Sequence, residues 1–197
     1  REKMEENYEK IKKRYKEINL QLWKDLENGK IDKDRLRVLR FERIIEEFGL
    51  GYDSIGMSEL YLKKLGEGVF PFEMTEKLCE YLHSKYKVGV VTNGIKEVQH
   101  SRIENSEIAK YIDKLVISEE VGANKPDKKI FEYAMDYFGV LDKKSVMMVG
   151  DSLVADIKGG QNTGIDTCWV NLKNIENNTG IVPKYEVKKL EELFKIL

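Results

Sequence analysis

From Pro71 onward the sequence sets four short apolar runs between stretches of helical periodicity: Val88-Gly89-Val90-Val91, Leu115-Val116-Ile117, Val146-Met147-Met148-Val149 and Thr167-Cys168-Trp169-Val170. Each run is too short for a buried helix. Strands that are apolar throughout, rather than at alternate positions, belong to a parallel sheet covered on both faces. The spacing predicts helices over Glu73–Lys85, Lys96–Glu104, Lys128–Phe138 and Leu153–Thr163, with an amphipathic closing helix over Lys188–Leu197. Strand and helix in alternation indicate an α/β fold with helices on both faces of a parallel sheet.

Residues 1–70 show no strand signal. Met4, Tyr8, Ile11, Tyr15, Ile18 and Leu22 recur at steps of four and three, which is one apolar stripe on a helix that Asn28-Gly29 ends. Asp32 is placed to cap a second helix, with Val38, Phe41, Ile45 and Phe48 on one face and Gly49 after it. A third helix is expected from Ser54 to Leu65, stopping at Gly66. The organisation is thus a helical module, 1–70, followed by an α/β module, 71–197, with no repeat and no linker.

Composition narrows the function. Lys+Arg of 34 against Asp+Glu of 35 leaves a net charge of −1, without the basic excess of a nucleic-acid binder. Hydrophobic residues at 41% suffice for a core and exclude a disordered chain. No apolar run approaches the roughly 20 residues that span a bilayer. Cys79 and Cys168 are too few for a disulfide framework, so a cytoplasmic location is expected. Both read as small buried hydrophobes, and Met147, Met148 and Trp169 as core. His83 and His100 lack metal-ligand spacing and read as surface residues.

In open parallel sheets ligands sit at the carboxyl ends of the strands. There the sequence places Thr92-Asn93-Gly94, then Ser118-Glu119-Glu120 with Lys125-Pro126-Asp127 a few residues on, then Gly150-Asp151-Ser152-Leu153-Val154-Ala155-Asp156. Singly, each has a plain structural account. Thr92-Asn93-Gly94 suits a turn, Asp127 an N-cap, Lys125 a solvated position and Asp151 a turn. Asp156 is different, because it falls inside a mostly apolar helix where an unpaired carboxylate is costly. Two carboxylates at one strand end suit an oxygen-liganded cation such as Mg²⁺.

These three segments resemble the second, third and fourth motifs of the haloacid-dehalogenase-like hydrolase superfamily: the strand-end Thr92, Lys125 before a proline, and Gly-Asp-x-x-x-x-Asp ending at Asp156. The wider text VVTNGIKEVQHSRIE, LVISEEVGANKPDKKIFEYA and VMMVGDSLVADIKGGQNTGIDTCWVN is similar to pyrimidine 5′-nucleotidases of the YjjG type, and the segment with Leu22-Trp23 and Asn28-Gly29 resembles their cap. The resemblance implies a Rossmann-like core with a helical cap, and a Mg²⁺-dependent phosphomonoesterase acting on nucleoside 5′-monophosphates through an aspartyl-phosphate. In it Asp151 and Asp156 serve the metal, with Asp156 ligating through water or orienting Lys125. Thr92, Asn93 and Gly94 donate to the phosphate, and Lys125 offsets its charge. Trp23 and Phe41 have the chemistry to stack on a base and Arg37 or Arg40 to reach polar groups, but residues at such helical spacing belong to a core. The expected partner is a small phosphate monoester, neither nucleic acid nor membrane, with the chain a monomer or a homodimer.

One part of the pattern is missing. The superfamily's first motif, Asp-x-Asp-x-Thr at the end of an initial strand, does not occur in residues 1–197. That strand lies centrally in the family's sheet. Omitting it leaves two ladders facing each other across about 10 Å, so a preceding segment on the order of 30 residues is expected before Arg1. Other readings stay open: a sugar-phosphate phosphatase or phosphomutase of the same superfamily, or a non-catalytic fragment without its nucleophile.

Overall fold

The computed structural model describes residues 2–197; the side chains of residues 2–6 and 27 lie outside it, and Met4, which opens the predicted stripe, is among them. Two compact units divide the chain, Arg1–Leu65 and Gly66–Leu197. No described helix is long and apolar enough to cross a membrane.

The first unit is built from α1 (Glu2–Glu27), α2 (Lys33–Phe48) and α3 (Ser54–Glu67), the last running two residues into the second unit. The stripe on α1 is buried at Ile18 and Leu22, and Leu26 one turn beyond it is buried too, while Tyr8 is exposed. Gly29 takes the left-handed backbone (φ 69°) that ends a helix. Asp32 caps α2 as expected, its side chain accepting from the Arg35 N–H at 2.7 Å, and Gly49 (φ 59°) closes it. The only Asp-x-Asp in the sequence, Asp32-Lys33-Asp34, is therefore a helix start and not a strand end.

The buried face of α2 differs from the predicted one. Leu36, Arg40, Phe41 and Ile44 are buried, whereas Val38 and Ile45 are only half-buried. Apolar residues occupy two adjacent stripes, and the core takes the one at steps of four, with a cation in its middle. Arg40 lies 4.6 Å from the Tyr61 ring centroid and 5.3 Å from that of Phe41. Those rings and Tyr15 form a triangle with sides of 5.5 to 5.8 Å. Burial also pushes the Tyr15 phenol pKa well up. Phe41 and Arg40 are thus core residues of this unit, and Trp23 packs against the cluster of Ile18, Leu22, Leu26, Leu36 and Ile44.

The second unit follows the predicted rhythm. Its elements are α4 (Thr75–Lys85), β1 (Gly89–Thr92), α5 (Lys96–Glu104), β2 (Lys114–Ile117), α6 (Ser118–Val121), α7 (Lys128–Tyr137), β3 (Met147–Gly150), α8 (Lys158–Thr163), β4 (Asp166–Val170) and β5 (Tyr185–Val187). All described strand pairs are parallel. Successive residues of β3 enter different cores. Met148 joins the cluster around Ile130, Phe131 and Met135 of α7, while Met147 and Val149 join the one around Leu78 of α4, Val187 and Leu193. That alternation shows helices covering both faces.

Strands β1 and β2 form one sheet, and β3, β4 and β5 another, so β1 and β3 each pair along one edge only. Strand β5 and the single-turn α6 were not anticipated, and the closing segment is a 3₁₀ helix, Leu190–Lys195. His83 and His100 are surface residues with carboxylate neighbours: Asp113 at 3.6 Å, and Glu120 at 3.0 Å, respectively.

Candidate active site

The site is assembled from the loops that follow β1, β2 and β3. Thr92 ends β1, and its Oγ1 accepts from the Gly94 N–H at 2.9 Å, closing a tight turn at the strand end. The side chain of Asn93 turns toward the loop after β2. Its Oδ1 accepts from the Lys125 N–H at 2.7 Å and its Nδ2 donates to the Lys125 carbonyl at 2.9 Å. Lys125 precedes Pro126 through a cis peptide bond. Asp127 then caps α7 by accepting from the Lys129 N–H, as its position predicts.

The Lys125 ammonium is held at two points. It donates to the Val91 carbonyl at 2.6 Å and to Asp156 Oδ1 at 2.7 Å. Asp156 is buried and little of the Lys125 side chain is exposed, 6% and 11% respectively. The other carboxylate oxygen of Asp156 accepts from the Ser152 N–H at 3.0 Å, so the acid is fully engaged. This answers the cost of a carboxylate in an apolar helix: its counter-charge arrives from the loop after β2.

The local backbone makes that meeting possible. A regular helix from Leu153 was expected. Instead residues Leu153–Ile157 form one π-helical turn, with the Ile157 N–H reaching the Ser152 carbonyl at 3.1 Å, before α8 begins at Lys158. Such single wide turns accompany functional sites in helices. Gly150 is required beneath it, because a Cβ there would stand 2.3 Å from Asp156 Oδ2 and 2.6 Å from its Cβ.

Asp151 is exposed at the rim, and its carboxylate has no hydrogen-bond partner among the described residues. Its backbone carbonyl accepts from the indole N–H of buried Trp169 at 3.0 Å. No cluster of three or more His, Cys, Asp or Glu suited to a metal occurs among the described residues. The donors still fit a Mg²⁺ ion, which takes one or two protein carboxylates and completes its shell with water and substrate phosphate. Asp151 offers the open carboxylate, while Asp156 faces Lys125.

Of the residues singled out by sequence, Asn93, Lys125 and Asp156 form one hydrogen-bonded network, with Thr92, Gly94 and Asp151 adjoining it in the chain. Sequence reasoning missed Ser152, the Val91 carbonyl and Trp169. Trp169 had a readable signal: an aromatic with a polar tip on the strand beside Gly150, its register partner.

Residues 32–170 match the model of the haloacid dehalogenase-like hydrolases. Pyrimidine 5′-nucleotidase YjjG of Escherichia coli (strain K12) is 38% identical over 183 residues, 93% of this chain and 80% of that protein. The putative HAD-hydrolase YfnB of Bacillus subtilis (strain 168) is 35% identical over 187 residues, 95% of this chain and 80% of that protein. A crystal structure of YfnB bound to magnesium superposes with a TM-score of 0.89, covering 95% of this chain and 82% of that one.

Proposed function

We propose, from the premise that this chain belongs to the haloacid dehalogenase-like hydrolase family, that it hydrolyses the phosphate monoester of nucleoside 5′-monophosphates, with pyrimidine nucleotides preferred. The observation that carries the reading is the Lys125 ammonium, fixed by Val91 and Asp156 at the carboxyl ends of parallel strands, with Thr92 following Val91 in the chain and the exposed carboxylate of Asp151 following β3. A fixed cation among hydroxyl and amide donors is what a phosphoryl group needs. Its transfer depends on positioning and charge stabilisation more than on covalent chemistry.

In this reading Thr92 donates its hydroxyl to a phosphoryl oxygen and the backbone amide of Asn93 adds a donor, while the Gly94 N–H holds the Thr92 oxygen in place. Lys125 offsets the charge of phosphate and carboxylates, and Asp156 orients Lys125. Asp151 holds Mg²⁺, which when bound supplies further charge neutralisation. The route runs through an aspartyl-phosphate, with the nucleophile and the acid–base carboxylate on a strand seated between β1 and β3. The single-sided pairing of those strands supports that placement, and no such strand occurs among the described residues. The helical unit is the family's cap and selects the substrate. The similarity to a pyrimidine 5′-nucleotidase supports the nucleotide preference.

The test is phosphate release from a panel of nucleoside monophosphates and sugar phosphates, with and without Mg²⁺, using the product of the intact native gene. Metal-dependent release favouring pyrimidine monophosphates is expected. Release from sugar phosphates alone would discard the nucleotide assignment, and no release from either would overturn the phosphatase reading.

A further inference from the structure

Asn93 sits where a substrate ligand is expected, yet both ends of its side-chain amide are spent on the backbone of one residue thirty-two positions away. The two bonds, at 2.9 and 2.7 Å, fix which amide atom is oxygen and which is nitrogen, since the reverse would set donor against donor. Lys125 lies in the loop between α6 and α7, outside every strand, and is half-buried. Asn93 gives it the paired N–H and C=O bonds that a neighbouring strand would otherwise give.

We infer that the Asn93 side chain is a positioning residue: it anchors the backbone of Lys125 so that the ammonium is delivered to the strand ends, and it does not itself contact the phosphate. A lysine side chain has four rotatable bonds, and fixing its tip needs its root fixed too. The ammonium is tied to Val91 and Asp156, and the Asn93 amide ties the Cα end. With the clamp released, the lysine keeps its charge and loses its register, and a shift of about 1 Å at such a group costs on the order of a hundredfold in rate.

The activity arm of the test rests on the phosphatase reading; a second arm does not. In Asn93→Ala, hydrogen exchange at the Lys125 amide should quicken at least tenfold while amides of β4 stay protected. An unchanged Lys125 amide would overturn the clamp whether or not the protein turns over any substrate. In the full-length enzyme, Asn93→Ala should lower kcat about a hundredfold with KM shifted less than about threefold. A raised KM at unchanged kcat would instead make the side chain a substrate ligand.

Asn93→Asp separates positioning from general damage. An ionised carboxylate still accepts from the Lys125 N–H but sets a lone pair against the Lys125 carbonyl. Once protonated, it donates to that carbonyl and restores both bonds. Lowering the pH toward the free carboxyl value of about 3.9 populates that protonated form. The activity of Asn93→Asp relative to the native enzyme should therefore rise at least tenfold between pH 8 and pH 5. A flat ratio overturns the inference, and this variant decides the matter if Asn93→Ala does not fold. Absence of turnover by the native enzyme would count against the phosphatase reading alone, because the exchange result stands without it.

Discussion

The Lys125 ammonium and the Asp156 carboxylate stand 2.7 Å apart with little of either side chain exposed, joining the loop after β2 to the π-helical turn after β3. Removing one member of such a pair leaves the other charge buried and uncompensated, at a cost of about 3–5 kcal/mol. Replacing both by apolar residues of similar volume avoids that penalty. Urea titration should therefore show Asp156→Leu losing several kcal/mol, with most of it recovered in the Lys125→Met/Asp156→Leu double variant, which remains inactive. A double variant as unstable as the single would mean the pair is not coupled.

Gly150 tests the same geometry from below. A methyl group there would meet a side chain that is buried and ion-paired, so neither partner can swing aside. Overpacking of this kind costs about 1–3 kcal/mol. Gly150→Ala should show that loss in thermal unfolding together with reduced activity. A Tm equal to the native one would remove the close-approach account of this glycine.

How far the sequence could be read follows from which contacts leave a pattern. Helix α5 runs over Lys96–Glu104 as predicted, each strand end lies within one residue of its expected place, and Asp32 and Asp127 cap the helices assigned to them. Periodicity and capping are local and leave marks in the text. Strand β5, Tyr185-Glu186-Val187, is three residues with a charge at its centre, and no pattern that short separates it from loop. The buried face of α2 was ambiguous because two apolar stripes lie side by side, and the occupied one contains Arg40. The site's residue types were legible because parallel sheets gather strand ends on one rim. Their partnerships were not. Asn93 meets a backbone, Lys125 meets a carbonyl and an acid 31 positions on, and neither contact has a sequence period.

Asp151 and Trp169 should separate a ligand from its support. Asp151→Asn removes the open carboxylate at the rim and, as an exposed substitution, should leave thermal unfolding unchanged while abolishing metal-dependent turnover. Trp169→Phe keeps an aromatic, though smaller, side chain but leaves the Asp151 carbonyl without its donor, a loss of about 1–3 kcal/mol. Calorimetric titration with Mg²⁺ should show weaker binding in Trp169→Phe and none in Asp151→Asn. An Asp151→Asn protein with native metal affinity and near-native turnover would end the assignment of Asp151.

Cys168 gives a pH dependence of defined sign. It is fully buried on β4, and burial pushes its thiol from the ordinary 9.0 up to about 11. The folded state therefore holds this proton more tightly than the unfolded chain. The resulting stability is fully present below pH 9 and is lost as the pH rises toward 11, where the folded thiol also ionises. At about 1.4 kcal/mol per pH unit, the slope over that interval sums to roughly 2–3 kcal/mol. Denaturant titrations from pH 8 to 11 should show the decline in the native protein and a shallower one in Cys168→Ala, whose stability at pH 8 is lower because a buried side chain has been cut back. Parallel slopes for the two proteins would assign the alkaline loss to other groups.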